Sequence, residues 1–502
     1  MSTHSELSVI KPLGDLVSSI ASSSTNSTST TTRISNATYT LPSKMPPLFL
    51  HQLDAVRKMV EDRPRGMMLY HGMGSGKTIS ALAIGAALRR KGEISYIVVL
   101  CPVNVKKVWE REAIKFGIIV CTMTHNNFKH FNYEKHNTLL IVDEAHNFRT
   151  PIVAKKYEKM MESQKSYQLL KVASSCKHVV LLTGTPIVNN PLDLRNLVMA
   201  MNGERYIDAT SYNDPSLKGE TLMKKAAVLT HSYMDYEHES LPDIKQETHD
   251  FYMNSEYQAW YETVEQDVME QLMITNRFAL FSKRSRAFWN GVRRASNGRV
   301  NNDGVLESPK LEWLCKSVLQ WKKDGEKAIV YSAWKTYGMS IVQEYIQSNG
   351  GEGVRLGIID GDMPTDRRTV IVNEYNLGHL DVLLFTAAAS EGMNLLATRH
   401  VVILEPHWNL ARIDQAMSRA RRMNSHAQLP PEKRNITVHH MLLHKTSSSE
   451  LQSIDDMMIK LSFKKKRFIR SFNRMVGVSI TSDSSDEEED ECEDEDTCDY
   501  DE

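Results

Sequence analysis

The sequence has no apolar run of membrane-spanning length. Its longest hydrophobic stretches are strand-sized, well short of the ~20 residues a bilayer helix needs, so no membrane partner is expected. The first residues lack the charged-then-apolar pattern of a secretory signal. Cysteine is scarce, with six in 502 residues at positions 101, 121, 176, 315, 492 and 498. None forms a C-x-x-C pair, which indicates neither a disulfide framework nor a zinc site and fits reduced thiols inside a cell. Net charge is nearly absent too, at −1, but it is unevenly spread. Residues 481–502 hold 14 of the 62 acidic residues and none of the 61 basic ones, so the rest of the chain is basic. A basic body suits a polyanion partner, most simply nucleic acid. An acidic run of this kind is expected to be a solvated, disordered tail.

What is present is organised around one stretch, Tyr70-His71-Gly72-Met73-Gly74-Ser75-Gly76-Lys77-Thr78. It follows the apolar Met67-Met68-Leu69 and precedes Ile79–Arg90, which reads as a helix ending near Gly92. Strand, glycine-rich turn, Lys-Thr and helix are the context of a phosphate-binding P-loop. Glycines let backbone N–H groups close on triphosphate oxygens, the helix N-terminus favours the negative charge, and Lys77 neutralises it further. The strict pattern G-x-x-x-x-G-K-[ST] calls for glycine where His71 stands.

Further strands are expected at Tyr96–Cys101, Leu139–Asp143 and Val179–Thr183, each apolar, each ending in polar residues, with helical patterns between them. Such alternation predicts a parallel sheet covered on both faces, with functional residues at the carboxyl ends of its strands. From about Gly203 to Ser308 the alternation lapses, and this region reads as a mostly helical insertion and linker. Its basic stretch Lys283-Arg284-Ser285-Arg286 and the pair Arg293-Arg294 read more readily as a charged helix face than as nucleic-acid contacts. A second alternating series follows Pro309, with strands at Ala328–Ser332, Arg355–Ile359, Val382–Phe385, Val401–Leu404 and Ile436–Met441. It has no second P-loop, so two sheets sharing one phosphate site place the nucleotide in the cleft between them.

Asp143-Glu144-Ala145-His146 follows Leu139-Leu140-Ile141-Val142 in a Walker B arrangement. Thr78 and Asp143 are candidates to hold Mg²⁺ on the phosphates, and Glu144 to orient or deprotonate the attacking water. An acidic pair after a strand otherwise often only caps a helix.

With these residues the chain resembles the superfamily 2 helicase-type ATPases, and among them the Swi/Snf-like group. Gln52 in Leu-His-Gln-Leu-Asp-Ala matches the family's adenine-reading glutamine. Cys101-Pro102-Val103-Asn104-Val105-Lys106-Lys107-Val108-Trp109-Glu110 is similar to its motif Ia, and Leu182-Thr183-Gly184-Thr185-Pro186 to its motif III. Leu241-Pro242-Asp243-Ile244-Lys245-Gln246-Glu247 is similar to its linker entry, Phe385–Leu395 to its motif V, and Gln415–Arg422 to its motif VI. P-loops of this family commonly lack the first glycine, which accommodates His71. Arg422-Met423-Asn424-Ser425-His426 further resembles the transcription ATPases of large DNA viruses, such as poxvirus nucleoside triphosphatase I and the early transcription factor small subunit. Cellular remodellers usually have Gly-Gln where Asn424-Ser425 stand.

The resemblance implies an α/β fold of two tandem RecA-like parallel-sheet lobes with a mainly helical insertion and disordered termini. The expected divisions are a Ser/Thr-rich head (1–44), a first lobe (45–205), an insertion and linker (206–307), a second lobe (308–478) and the acidic tail (479–502). It implies ATP and Mg²⁺ as cofactors, with no other metal. ATP would lie against Gln52, Gly72, Met73, Gly74, Ser75, Gly76, Lys77, Thr78 and Gln415. Catalysis would rest on Lys77, Asp143, Glu144 and two arginine fingers, Arg419 and Arg422. Strand contacts would fall to Pro102, Lys106, Thr185 and Thr386. The implied activity is translocation on duplex DNA, with a viral RNA polymerase or transcription factors as further partners, in the host nucleus, a viral factory or the virion. The alternatives are a strand-separating DNA or RNA helicase and a catalytically silent scaffold.

Overall fold

In the computed structural model the residues described are 46–128, 135–150, 152, 164–205, 214–234, 241–274, 287–386, 393–446 and 452–478, with the pairs 33–34 and 37–38. The head and the acidic tail, expected to be disordered, lie outside this set, apart from Arg33–Ile34 and Ala37–Thr38, which pair antiparallel.

The first lobe is a six-stranded sheet of β1 (Gly66–His71), β2 (Tyr96–Cys101), β3 (Cys121–Thr124), β4 (Thr138–Val142), β5 (His178–Thr183) and β6 (Thr230–Tyr233). Its order is β3-β2-β4-β5-β1-β6, and every pairing is parallel. Alternation along each strand divides the apolar side chains between two layers. Met68, Tyr70, Val98, Leu100, Leu140, Val142, Val179 and Leu181 join one core. Met67, Leu69, Ile97, Val99, Leu139, Ile141, Val180 and Leu182 join the other. Both faces are therefore dry, as a parallel sheet requires. Helix α1 (Leu50–Glu61) packs beside α2 (Lys77–Arg90) over the second layer. There α2 lies so close to the sheet that a β-carbon on Gly85 would meet Ile97 Cδ1 at 2.9 Å. Helix α3 (Lys106–Lys115) follows β2 and buries Trp109 and Ala113.

The second lobe repeats this plan. Its strands are β7 (Asp243–Tyr252), β8 (Lys327–Tyr331), β9 (Leu356–Ile359), β10 (Val382–Phe385), β11 (Thr398–Ile403) and β12 (Asn435–His444). They run in the order β9-β10-β8-β11-β12-β7, again all parallel. Two apolar layers enclose this sheet as well. Helix α4 (Pro309–Lys323), capped by Ser308 with Pro309 at its first position, contributes Leu311, Leu314, Val318 and Trp321 to one of them.

Every strand expected from the sequence is present, shifted by no more than three residues at either end. Three strands of the two six-stranded sheets were not anticipated: β3, β6 and β7. The last two fall within the stretch expected to be mostly helical, which also holds the helices Gly219–Val228, Ser255–Ile274 and Asn290–Ala295. Strand β7 alternates partly buried and exposed residues and closes the edge of the second sheet, ten residues in register with β12. Helix α5 (Ile454–Met475) bridges the lobes. Its Ile454 and Met458 pack with Leu443 of the second lobe, while Phe472 enters the first lobe's core.

Candidate active site

Helices start and strands end on the same edge of each parallel sheet, so the carboxyl ends of β1, β4 and β5 gather around the N-terminus of α2. The loop after β1 turns at Gly74 and Gly76, whose φ values of 83° and 81° favour residues without a β-carbon. Ser75 Oγ donates to the Gly72 carbonyl at 2.7 Å and fixes the turn. Lys77 Nζ folds over it, donating to the carbonyls of His71 and Gly72 at 2.9 and 3.0 Å. Thr78 is the second residue of α2, and Met73 lines the loop, its Cγ close to Gly184. Gln52 on α1 is buried and reaches the loop from outside, its Nε2 donating to the Ser75 carbonyl at 3.3 Å while its Oε1 accepts from Phe49 N at 3.0 Å.

His71 is the last residue of β1 and is fully buried. Its φ is not positive, so the glycine of the strict pattern has no conformational task here. The ring is held by a relay instead. Asp54 Oδ2 accepts from His231 Nε2 at 3.1 Å, and His231 Nδ1 accepts from His71 Nε2 at 2.8 Å. Burial, with His231, His51 and Lys77 nearby, pushes His71 down to about 2, so it stays neutral.

Asp143 follows β4 and is almost enclosed. Its Oδ2 accepts from Trp109 Nε1 at 3.0 Å, its Oδ1 from the backbone of Glu144 at 3.0 Å. His125 Nε2 donates to its carbonyl at 2.9 Å. Burial, then the Glu144 charge, raise the Asp143 carboxyl, against the Trp109 bond and the Lys77 charge. Lys77 is lowered by burial and by Arg419, while Glu144 and Asp143 oppose the shift. These mutual shifts put Lys77, Asp143, Glu144 and Arg419 in one electrostatic cluster, with Arg419 supplied by the other lobe from Leu410–Ala420. Glu144 sits at φ 49°, ψ 51°, a strained conformation for a side chain with a β-carbon. His146 Nδ1 lies 3.4 Å from Glu144 Oε2 and 3.3 Å from Thr183 Oγ1, and Thr183 Oγ1 accepts from Thr185 N at 3.0 Å.

The remaining candidates fall into place less closely. Arg422 follows the helix that carries Arg419, and burial lowers it; its backbone N–H donates to Ser425 Oγ at 3.4 Å. Gln415 stands one turn before Arg419 on that helix, its carbonyl accepting from Ser418 Oγ at 2.8 Å. Pro102, Thr185 and Thr386 directly follow or flank strand ends, and Lys106 opens α3. Ala387–Gly392 of the motif V stretch lie outside the described residues, as does Lys283-Arg284-Ser285-Arg286. Arg293 is buried, donating to the Pro406 carbonyl at 3.1 Å, and its guanidinium lies 5.2 Å from the Trp334 ring centre. It serves the fold. Trp109 and His146 enter the sequence reading only as members of their motifs, without a role at the site, and His125 does not enter it. A buried indole N–H in the helix after motif Ia needs an acceptor, which is the signal that would have found Trp109.

The residues fit a nucleotide and a divalent ion. The two left-handed glycines leave the loop backbone open to phosphate, Lys77 stands inside it, and Asp143 bears a raised carboxyl that a cation would relieve.

Residues 309–424 match the helicase conserved C-terminal domain. The putative ATP-dependent RNA helicase L538 of Acanthamoeba polyphaga mimivirus is 27% identical over 458 residues, covering 85% of this chain and 96% of that protein. The termination factor NPH-I homologue of African swine fever virus is 21% identical, over 75% of this chain and 69% of its own. The CHD3-type chromatin-remodelling factor CHR7 of Arabidopsis thaliana is 23% identical over 71% of this chain, which spans 33% of that protein. With two parallel-sheet lobes and one P-loop, the chain is an ATP-hydrolysing enzyme of the helicase type. These similarities support the resemblance to superfamily 2 ATPases of the Swi/Snf-like group.

Proposed function

We propose that this ATPase translocates along duplex DNA and serves viral transcription or the remodelling of DNA-bound complexes. The observation that supports coupled action is the chain from Glu144 through His146 and Thr183 to Thr185. It runs from the water-activating carboxylate to a strand end assigned to nucleic acid, in polar contacts of 3.0–3.4 Å through a His146 ring that burial keeps neutral. Gly72–Thr78 cradle the phosphates, Gln52 and Gln415 border the base, and Lys77 neutralises the transferred group. Thr78 and Asp143 would hold Mg²⁺, which withdraws charge from the phosphate oxygens when bound. Glu144 orients and deprotonates the water. Arg419 and Arg422 complete the charge complement from the second lobe, so hydrolysis requires the lobes to close.

The test is the ATPase rate without nucleic acid and with duplex DNA, single-stranded DNA and RNA, alongside displacement of a triplex strand and of a tailed duplex strand. Stimulation by duplex DNA with triplex displacement alone is expected. Unwinding of the tailed duplex would favour the second reading, a strand-separating helicase, to which the mimivirus relative's description points. Lys77→Ala should abolish turnover without unfolding the chain. Arg419→Ala should lower it by about 10³–10⁵, the range for loss of an arginine finger.

A further inference from the structure

The second lobe holds a cluster of histidines and carboxylates on the face of its sheet beneath α4. In the parallel ladder Glu247 of β7 stands opposite His439 of β12, and His249, two residues on, shares the face. His249 Nε2 lies 3.0 Å from His439 Nδ1, Glu247 Oε2 lies 3.5 Å from His439 Nδ1, and Glu247 Oε2 lies 3.8 Å from His249 Nε2. Zinc–ligand bonds of about 2.0–2.1 Å at tetrahedral angles separate donor atoms by about 3.3–3.5 Å. The triangle brackets that spacing, and the ligand atoms of all three residues lie within 4.8 Å of one another.

The surroundings set the proton on the ring that matters. Glu326 Oε2 accepts from His400 Nε2 at 2.9 Å, which leaves His400 Nδ1 as an acceptor. It accepts from His439 Nε2 at 3.2 Å. His439 Nδ1 therefore carries a lone pair, aimed at Glu247 Oε2 and His249. The other oxygen of Glu247 is engaged by Lys245 Nζ at 2.7 Å, so Oε2 is the one turned inward. A lone pair and a carboxylate oxygen 3.5 Å apart repel unless a proton or a cation lies between them. A carboxylate–histidine–histidine relay behind a ligand nitrogen is the arrangement that orients metal ligands and strengthens them. Trp321 stacks on His400 with ring centres 4.0 Å apart, and Trp313 lies 4.1 Å from the His249 ring. These indoles fix the imidazole planes and wall the site.

We propose that Glu247, His249 and His439 bind one divalent ion of the zinc class, the fourth position being taken by water. Two imidazoles and one carboxylate are a borderline-soft donor set of the kind Zn²⁺ takes and that Mg²⁺, which prefers all-oxygen shells, does not. The sequence leads to the expectation of no metal beyond Mg²⁺, because its six cysteines lack zinc-site spacing. Here the ligands are histidines 190 residues apart in the chain. Bound metal pins β7, an edge strand, to β12.

The full chain, dialysed against metal-free buffer and saturated with Mg²⁺, is titrated with Zn²⁺ by calorimetry and with Co²⁺ by visible absorption. One equivalent should bind with micromolar or tighter affinity, and Co²⁺ should give the intense absorption of a four-coordinate site. Zn²⁺ should raise the melting temperature. His249→Asn, at a partly exposed position, and the double variant Glu247→Gln/His249→Asn should bind at least about 100-fold more weakly and lose the thermal shift. Their ATPase rate without added zinc should be unchanged. No stoichiometric binding, an octahedral cobalt spectrum, or equal affinity in the variants overturns the proposal. It would leave a proton shared between His249 and His439 as the occupant.

Discussion

Glu144 shows most directly how this chain trades stability for chemistry. At φ 49° it occupies backbone space that suits glycine, at a cost of order 1–3 kcal/mol for a side chain with a β-carbon. On the mechanism proposed above, a glutamate stands there so that its carboxylate serves the attacking water beside His146, 3.4 Å away. Glu144→Gln should therefore abolish hydrolysis while ATP binding, measured by calorimetry, is retained. Glu144→Gly should also be inactive yet unfold at a higher urea concentration than the parent, by about 1 kcal/mol. Equal or lower stability in the glycine variant would refute the strain. Asn424 tells a related story. It too has positive φ, 60°. Asparagine, like the glycine that the family resemblance leads one to expect there, tolerates the left-handed region. The pattern was legible in the sequence, whereas its cause was not, because no local signal reveals a φ angle.

Among the elements, the strands with continuous apolar runs were readable and those without were not. Val382–Phe385 is buried throughout and announces itself. Strand β7 carries Lys245, Glu247, His249 and Asp250 and reads as a charged linker. Its place is decided by ten residues of backbone pairing with β12, a long-range partner that the local pattern does not encode. The junction is held at its end by His444, which lies 2.8 Å from Asp250 of β7 and 2.6 Å from Asp456 at the start of α5. The two carboxylates, Asp456 foremost, push the imidazole up to about 9. A raised folded value means the ion pairs contribute fully below the ordinary histidine value near 6.5 and are lost as pH rises through about 9. Because the group is only half-buried, the loss should be no more than about 2 kcal/mol. Denaturation midpoints measured from pH 6.5 to 9.5 should fall accordingly, and His444→Gln should flatten that decline.

At the level of the whole molecule, the nucleotide half of the site was legible and the interlobe half only through family resemblance. Glycine spacing and the Asp143-Glu144 pair lie close in sequence to the strands that present them. Arg419 comes more than 340 residues after Lys77 and bears on it electrostatically only through the packing of two separate sheets. The C-terminal helix was not anticipated as a bridge. Its last turns lie on the first lobe, where Phe472 is buried and Asn473 Oδ1 accepts from Tyr70 Oη at 2.8 Å, on the strand that ends in the P-loop. Phe472→Ala should cost about 3–5 kcal/mol in urea unfolding, as for an aromatic in a core. A loss near zero would show that the helix end merely rests on the lobe.

That helix has 22 residues and so measures about 33 Å as a rigid rod. Anchored at both ends, it fixes the spacing of its two footings, Phe472 in the first lobe's core and Ile454 and Met458 beside Leu443 of the second. On the translocase reading proposed above, lobe opening is a swing about a strut of constant length rather than a separation.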